Sequence, residues 1–180
     1  GIGPGTLSGE SPRDLTLDDA RALLRSPAIE HAAPMVIGAA TVSFGALERD
    51  ITVMGTTASL LMIRDWKLAL GEFLHEQDWD RASQDCVLGY TVRHELFGEQ
   101  EPLGQWLRLG SRRCRVVGVL QEQGASITVN VDELVIIPVA SAQSLLNAPG
   151  LFRILVQARG RDEIQPAKRF VIETIKARHH

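Results

Sequence analysis

The sequence predicts a mixed fold of the α+β (α/β) class, because strand-like apolar runs alternate with segments of helical spacing along most of the chain. Its 180 residues are 44% hydrophobic and 23% charged, which is enough apolar material for a packed core. This length suits one domain or two small lobes. The net charge of −3 and the scattered arginines argue against a nucleic-acid-binding surface.

The N-terminal part is predicted to be a tether followed by a helix. Residues 1–12 are rich in Gly, Ser and Pro and show no periodicity, which indicates a flexible tether. Thr16 is the predicted N-cap of the helix and Asp19 its third residue, since a hydroxyl and an acidic side chain at this spacing can cap a first turn together. We expect Ser26 and Pro27 to end the helix.

The remaining elements follow from composition and turn residues. Strands are predicted at 33–44, 50–54, 86–89, 106–109, 114–120, 134–139 and 152–158, and helices at 59–65, 90–97, 141–146 and 162–178. A turn at 45–49 joins the first two strands, and a turn at 110–112 closes the most distinct β-hairpin. Gly98 is expected to end its helix in the left-handed conformation.

Neither a membrane span nor a signal peptide is predicted within these residues. The longest uncharged stretches, 32–47 and 51–63, are shorter than a bilayer-spanning helix. The first residues lack a basic region followed by an apolar one. A domain excised from a membrane protein is compatible with this pattern.

Motifs for catalysis or nucleotide binding do not occur in the sequence. Neither G-x-x-x-x-G-K-[ST] nor G-x-G-x-x-G follows a predicted strand, so we expect no ATP site and no cofactor in this segment. No nucleophile elbow is present either. The prediction is therefore a protein without catalytic residues, and a hydrolase that uses Ser83 or Cys86 is the weakest alternative.

The candidate metal ligands have unsuitable spacing. The five histidines do not form an H-E-x-x-H motif, and His94 with Glu95 is interpreted as a solvent-facing pair on a helix. An acidic run lacks the Gly and the closing Glu of a calcium loop and is interpreted as a solvated loop; it comprises Glu76, Asp78, Asp80 and Asp85. We therefore predict no metal site.

The tryptophans and cysteines leave alternatives open. Trp66, Trp79 and Trp106 are far apart in sequence, which favours ordinary packing over a stacking platform and leaves room for one exposed Trp at an interface. Cys86 and Cys114 lie in strand-like settings. Two buried thiols are the preferred interpretation, because free cysteine behaves as a small hydrophobe. A single disulfide in an oxidising compartment is the alternative.

A series of short motifs occurs in a distinctive order. It comprises Val-Leu-Gly at 87–89, Leu-Phe-Gly at 96–98, Pro-Leu-Gly at 102–104 and Val-Val-Gly-Val at 116–119, with supporting segments at 15–20, 33–36, 132–138 and 142–143. This series resembles the periplasmic core domain of MacB-like and FtsX-like permeases of ABC transporters. The positions that carry the resemblance are interpreted as structural: Leu96, Phe97, Gly98, Pro102, Leu103, Gly104, Gly118 and Pro138. Pro102 can begin a turn and Gly104 admits a positive φ.

The resemblance implies a two-lobed periplasmic domain of an inner-membrane protein. A discontinuous, porter-like βαβ lobe would comprise residues 13–70 and 150–180, and an inserted β-rich lobe would comprise residues 71–149. Both ends of the folded core should then lie close together, since both return to the membrane.

The same resemblance implies a function and partners. The domain would transmit movement driven by cytoplasmic ATP hydrolysis and dock periplasmic partners or cargo, for export or for lipoprotein-type transport. Its partners would be a second permease copy, a cytoplasmic ATP-binding domain or subunit and, in some members, a periplasmic adaptor and an outer-membrane duct. The alternative is a free-standing ligand-binding or sensory domain, which would need a large apolar pocket with convergent polar groups.

Overall fold

A computed structural model describes residues 15–124 and 130–179. The predicted tether at 1–12 lies outside the described residues. The helices are α1 (Leu17–Leu23), α2 (Ser59–Arg64), α3 (Tyr90–Phe97), α4 (Val139–Leu145) and α5 (Ile164–Arg178). The strands are β1 (Ile29–Phe44), β2 (Leu47–Thr56), β3 (Leu68–Gly71), β4 (Asp85–Leu88), β5 (Trp106–Leu109), β6 (Arg112–Leu120), β7 (Leu134–Pro138) and β8 (Arg153–Ala158). Short 3-10 turns occur at Val131–Glu133 and Arg161–Glu163. No described helix has the length and apolar character needed to cross a membrane.

The strands form a sheet that closes on itself. Pairing runs from β2 through β7, β4, β6 and β5 to β1, and β1 pairs in turn with β2. The long strand β1 makes this closure possible, because Val42 is in register with both Arg49 of β2 and Leu109 of β5. The short strand β3 adds to β6 outside this ring.

Strand β1 continues beyond the ring into a two-stranded ribbon. Its first part, from Ile29 to Met35, pairs antiparallel with β8. Consecutive side chains of β8 lie on opposite sides of the ribbon and pack in different cores. Val156 packs in the cluster that includes Ala167 of α5, whereas Leu155 packs in the cluster that includes Leu60 of α2. The ribbon therefore packs against α5 on one side and against α2 on the other.

Helix α1 contributes to two cores. Leu17 belongs to the cluster formed by the ring strands together with α3 and α4. Leu23, less than two turns later, belongs to the cluster formed by β8, α5 and the start of β1. Because both side chains are buried, a movement of α1 would disturb the packing of both clusters.

The predicted fold class is confirmed, and so are the β5–β6 hairpin and the helix at 90–97. The turn predicted at 45–49 is wrong in its length: β2 already begins at Leu47, because Gly45 at φ +59° allows a two-residue turn. Gly98 ends α3 with a positive φ of 56°, but its ψ of −122° differs from the predicted left-handed conformation. The last helix begins at Ile164 rather than 162, after a 3-10 turn.

The division into two lobes stays a prediction. Within the described residues, β2 from the first segment pairs in parallel with β7 from the proposed insertion. The ribbon of β1 and β8 brings together the first and last parts of the chain.

Candidate functional site at the junction of the first and last helices

The first and last helices meet at the carboxylate of Asp19. This side chain on α1 is only 2% exposed. Arg178, the last residue of α5, donates from Nε to Oδ1 of Asp19 over 2.6 Å, and Nε2 of His179 lies 2.7 Å from Oδ2. The expected proximity of the two ends of the folded core is therefore confirmed.

Local sequence positions the carboxylate for this contact. The N–H of Thr16 donates to Oδ2 of Asp19 over 2.9 Å, and the N–H of Asp19 donates to the Thr16 hydroxyl over 3.1 Å. This reciprocal capping box confirms the predicted N-cap. The cap orients the carboxylate, so that its oxygens can also accept hydrogen bonds from residues at the end of α5.

The surroundings of Asp19 keep it ionised at neutral pH. Burial raises the pKa of this carboxyl, but hydrogen bonds from Arg178, from His179 and from the Thr16 N–H outweigh burial and leave the pKa below its ordinary value. The junction is thus a buried anion held by the side chains of Arg178 and His179 at the end of the last helix and by the backbone N–H of Thr16, the N-cap of the first.

A second polar contact connects α1 to the acidic loop. Arg21 pairs with Asp18 of its own helix and with Asp80, each over 2.6 Å, and its guanidinium lies 5.8 Å from the centre of the Trp79 ring. Asp78 lies slightly farther from the same guanidinium, at 3.8 Å. Glu76, Asp78 and Asp80 are exposed, as predicted for a solvated loop, and Arg21 connects this loop to α1. The prediction is wrong for Asp85, which is half-buried because it begins β4.

The same loop is tied to α4 by two serines. The N–H of Ser83 donates to the hydroxyl of Ser141 over 3.0 Å, and this hydroxyl donates to the Ser83 carbonyl over 2.9 Å. Ser83 in turn accepts from the N–H of Asp85 through its own hydroxyl. The loop therefore forms a polar connection from α1 to α4, a connection that sequence motifs did not indicate.

The two cysteines form a disulfide. Cys86 of β4 and Cys114 of β6 are bonded, with their Cα atoms 5.7 Å apart, and both are buried. The preferred interpretation of two free buried thiols is therefore wrong. The cause is a tertiary one, since parallel pairing places Cys86 opposite Val116, two positions from Cys114. A hydrolase with Cys86 as nucleophile is excluded by the same bond.

Three positions of the motif series, Pro102, Leu103 and Gly104, lie just before the β5–β6 hairpin. Gly104, at φ +83°, occupies a turn in which the Gln105 N–H donates to the Pro102 carbonyl over 3.1 Å. At Gly118, an added Cβ would collide with the backbone carbonyl of Glu72. Leu96 and Phe97 are buried, Leu103 is partly buried, Gly98 ends α3 and Pro138 ends β7.

The other sequence-derived candidates do not assemble into a site. His94 and Glu95 are both exposed, as predicted; His94 stacks on Tyr90, and Glu95 pairs with Arg49 of β2. Trp66 and Trp79 pack against cores, whereas Trp106 is 41% exposed. Within 15–124 and 130–179, no group of three or more His, Cys, Asp or Glu side chains is placed to hold a metal ion.

A depression lies where β2, the acidic loop and the start of α4 meet. Its lining is mostly polar and includes Thr57, His75, Gln77, Asp78 and Arg81. This is not the apolar pocket that a ligand-binding or sensory domain would need.

Comparison with known proteins identifies related sequences and folds. Residues 1–172 match the profile described as the MacB-like periplasmic core domain. The pyoverdine export ATP-binding/permease protein PvdT of Pseudomonas syringae pv. syringae is 31% identical over 97% of this chain, and the macrolide export ATP-binding/permease protein MacB of Syntrophobacter fumaroxidans is 34% identical over 74%. The chain spans 28% of the former and 19% of the latter.

Two solved structures share the fold. The periplasmic region of MacB from Actinobacillus actinomycetemcomitans superposes with a TM-score of 0.81 at 21% identity, covering 92% of this chain and 75% of that one. The extracellular domain of the noncanonic ABC-type transporter YknZ from Gram-positive bacteria superposes with a TM-score of 0.79 at 18% identity, covering 94% and 86%.

Proposed function

We propose a mechanical role in transport for this chain, which belongs to the family of MacB-like periplasmic core domains. In this role, the domain transmits movement between membrane helices and the extracytoplasmic space, driven by ATP hydrolysis in a cytoplasmic domain or subunit. It carries out no catalysis itself. Its relatives are named as export permeases, which supports export as the process that it serves.

The Asp19 junction is the observation that carries this proposal. A displacement applied at the end of α5 acts on Asp19 directly, because Arg178 and His179 both contact its carboxylate. Helix α1 receives the same displacement, and Leu17 and Leu23 of α1 are anchored in different cores. A rigid junction of this kind moves the domain as one body rather than bending it locally.

The contacts of Arg21 extend this route to the ring of strands. Arg21 joins α1 to the loop that contains Asp80, and Ser83 of the same loop is bonded to Ser141 of α4. Helix α4 packs beside β2 and β7 of the ring. We propose that movement at the junction reaches the ring along these contacts.

The proposed partners follow from the family. A second copy of the permease would make a homodimer, and a cytoplasmic ATP-binding domain or subunit would supply the energy. A periplasmic adaptor with an outer-membrane duct would receive the cargo. The names of the relatives suggest a siderophore such as pyoverdine or a macrolide as the class of cargo.

Distance measurements on the full-length permease would test the mechanical role. A spin label at Ser111→Cys, in the exposed turn of the β5–β6 hairpin, reports the separation of the two copies. We expect this separation to change between the nucleotide-free and vanadate-trapped states, and the change to be much reduced in Asp19→Asn. Asp18→Asn, an equivalent change at an exposed neighbour, should behave like the parent.

Two outcomes would contradict the proposal. If the parent shows no change of distance between the two states, the domain does not transmit movement. If Asp19→Asn and Asp18→Asn both retain the full change, the movement does not pass through the Asp19 junction.

A further inference from the structure

The outer face of the β5–β6 hairpin carries an unusual set of side chains. Along β5, Trp106 and Arg108 point outward while Leu107 and Leu109 are buried. Along β6, Arg113 and Arg115 are exposed on either side of the buried Cys114. We call these four exposed residues, Trp106, Arg108, Arg113 and Arg115, the Trp–Arg face. It gathers three positive charges on one hairpin of a chain whose net charge is −3.

Like charges lie directly opposite each other on this face. Arg108 is in register with Arg113, and Trp106 is in register with Arg115. Like charges in register on adjacent strands repel each other and destabilise a sheet. The Arg113 guanidinium lies over the Trp106 ring, 4.5 Å from its centre, and strand alternation places both side chains on the exposed side of the hairpin.

The arginines of this face form no ion pair with a carboxylate of the described residues. None of the three forms an ion pair within 4.0 Å in the part of the chain that the structure covers. Two carboxylates flank the face in register: Asp85 lies opposite Arg115, and Glu48 lies opposite Ser43, the neighbour of Arg108. Neither forms an ion pair with an arginine of the face, so the three guanidinium groups remain available to bind the carboxylates of a partner.

The face is separate from the Asp19 junction. Strand β5 pairs with β1 at Val42 and Ser43, beyond the part of β1 that pairs with β8. The side chains of the junction therefore do not cover it, and changes on the face should leave the junction intact.

We propose that the Trp–Arg face docks an acidic segment of a partner protein. Guanidinium groups bind carboxylates through paired hydrogen bonds, and Trp and Arg are the residues most often found at the energetic centre of protein interfaces. The bound carboxylates would relieve the repulsion between Arg108 and Arg113, while Trp106 covers apolar surface of the segment. The inference rests on the proposed function in one respect, namely that such a partner belongs to the transport assembly.

Binding of labelled poly-L-glutamate to this chain would test the proposal. Arg108→Thr combined with Arg115→Thr should weaken binding by about tenfold, because two of the three contacting charges are removed. The matched control is Arg25→Thr combined with Arg169→Thr, which removes two exposed arginines elsewhere. The control should change binding by no more than about twofold, since it alters only the net charge.

Stability provides a second readout that separates docking from a structural role. Arg108→Thr should raise the thermal midpoint of the free chain, because it removes a like-charge pair and adds a residue that favours strands. The same variant should weaken binding. A lower midpoint would show that Arg108 serves the fold, and the proposal would then be wrong.

Two further results would overturn the proposal. One is an equal loss of poly-L-glutamate binding in both double variants. The other concerns phosphatidylglycerol vesicles. If the double variant Arg108→Thr with Arg115→Thr loses binding to these vesicles but keeps its binding to poly-L-glutamate, the ligand of the face is a lipid surface. Neither result depends on transport, so failure here leaves the mechanical role to be judged by the distance measurements.

Discussion

Arg178, at the end of the last helix, donates a hydrogen bond to the buried carboxylate of Asp19 in the first helix, with Nε and Oδ1 2.6 Å apart. The two residues are separated by 159 positions in sequence. One carboxylate therefore caps α1 and fastens α5 to it. This dual use makes Asp19 the residue at which the stability of the domain and its proposed mechanical role can be tested together.

Replacing Asp19 by alanine should destabilise the domain by about 2 kcal/mol, since it removes a capping interaction and a charged hydrogen bond. Asp18→Ala is the matched control. Its carboxylate is exposed and pairs with Arg21 within the same helix, so the loss should stay below about 0.5 kcal/mol. Urea unfolding followed by circular dichroism gives the free energy of unfolding of the parent and of both variants. Equal destabilisation by the two variants would mean that the contact with Arg178 contributes nothing.

The low pKa of Asp19 predicts a loss of stability in acid. Because its pKa is lower in the folded state than in the unfolded state, the ionised carboxylate stabilises the fold at neutral pH, and this contribution disappears as the pH falls below about 4. The stability deficit of Asp19→Asn should therefore be full at neutral pH and shrink at lower pH. Both chains should carry His179→Gln, so that the difference between them reports the Asp19 carboxyl alone. A deficit that is independent of pH would contradict the prediction.

Loss of the disulfide between Cys86 and Cys114 should destabilise the domain by about 3 to 4 kcal/mol, as expected for a closed loop of this length. The two cysteines are 28 positions apart. Thermal unfolding with and without dithiothreitol should show a lower midpoint for the reduced parent. The double variant Cys86→Ala with Cys114→Ala should give one midpoint under both conditions. An unchanged midpoint for the fully reduced parent would show that the bond is dispensable.

Gly118→Ala should be strongly destabilising, by about 2 kcal/mol or more, because the new methyl group would collide with the backbone of Glu72. Gly160→Ala is a suitable control, since its Cβ would have no atom within 4 Å and its φ of −169° is extended. The control should remain within about 0.5 kcal/mol of the parent. Chemical unfolding compares them, and similar midpoints for the two variants would refute close packing at Gly118.

Several features of the fold could be predicted from the sequence because they depend on neighbours in the chain. The capping box of Thr16 and Asp19 and the β5–β6 hairpin are of this kind. Their signals are local, since a cap or a tight hairpin is determined by residues a few positions apart. The order of short motifs was equally informative, and the family it indicated is confirmed.

The disulfide shows where local reasoning fails. Cys86 and Cys114 each lie in a predicted strand, and the local sequence is equally compatible with a buried thiol at either position. Only the parallel pairing of β4 with β6 brings them together. The same holds for the charges of Arg108 and Arg113, which the strand register of the hairpin places opposite each other, and which form no ion pair with a carboxylate of the described residues.

By itself, the sequence determined the family of this protein, its class of fold and the helix cap at Thr16 and Asp19. The tertiary structure alone decided that Asp19 binds Arg178, that the cysteines are bonded and that α1 belongs to two cores. The physical reason is the range of the interactions. Caps and turns are settled by a few consecutive residues, whereas a buried carboxylate accepts whichever donor the packing of distant segments brings to it.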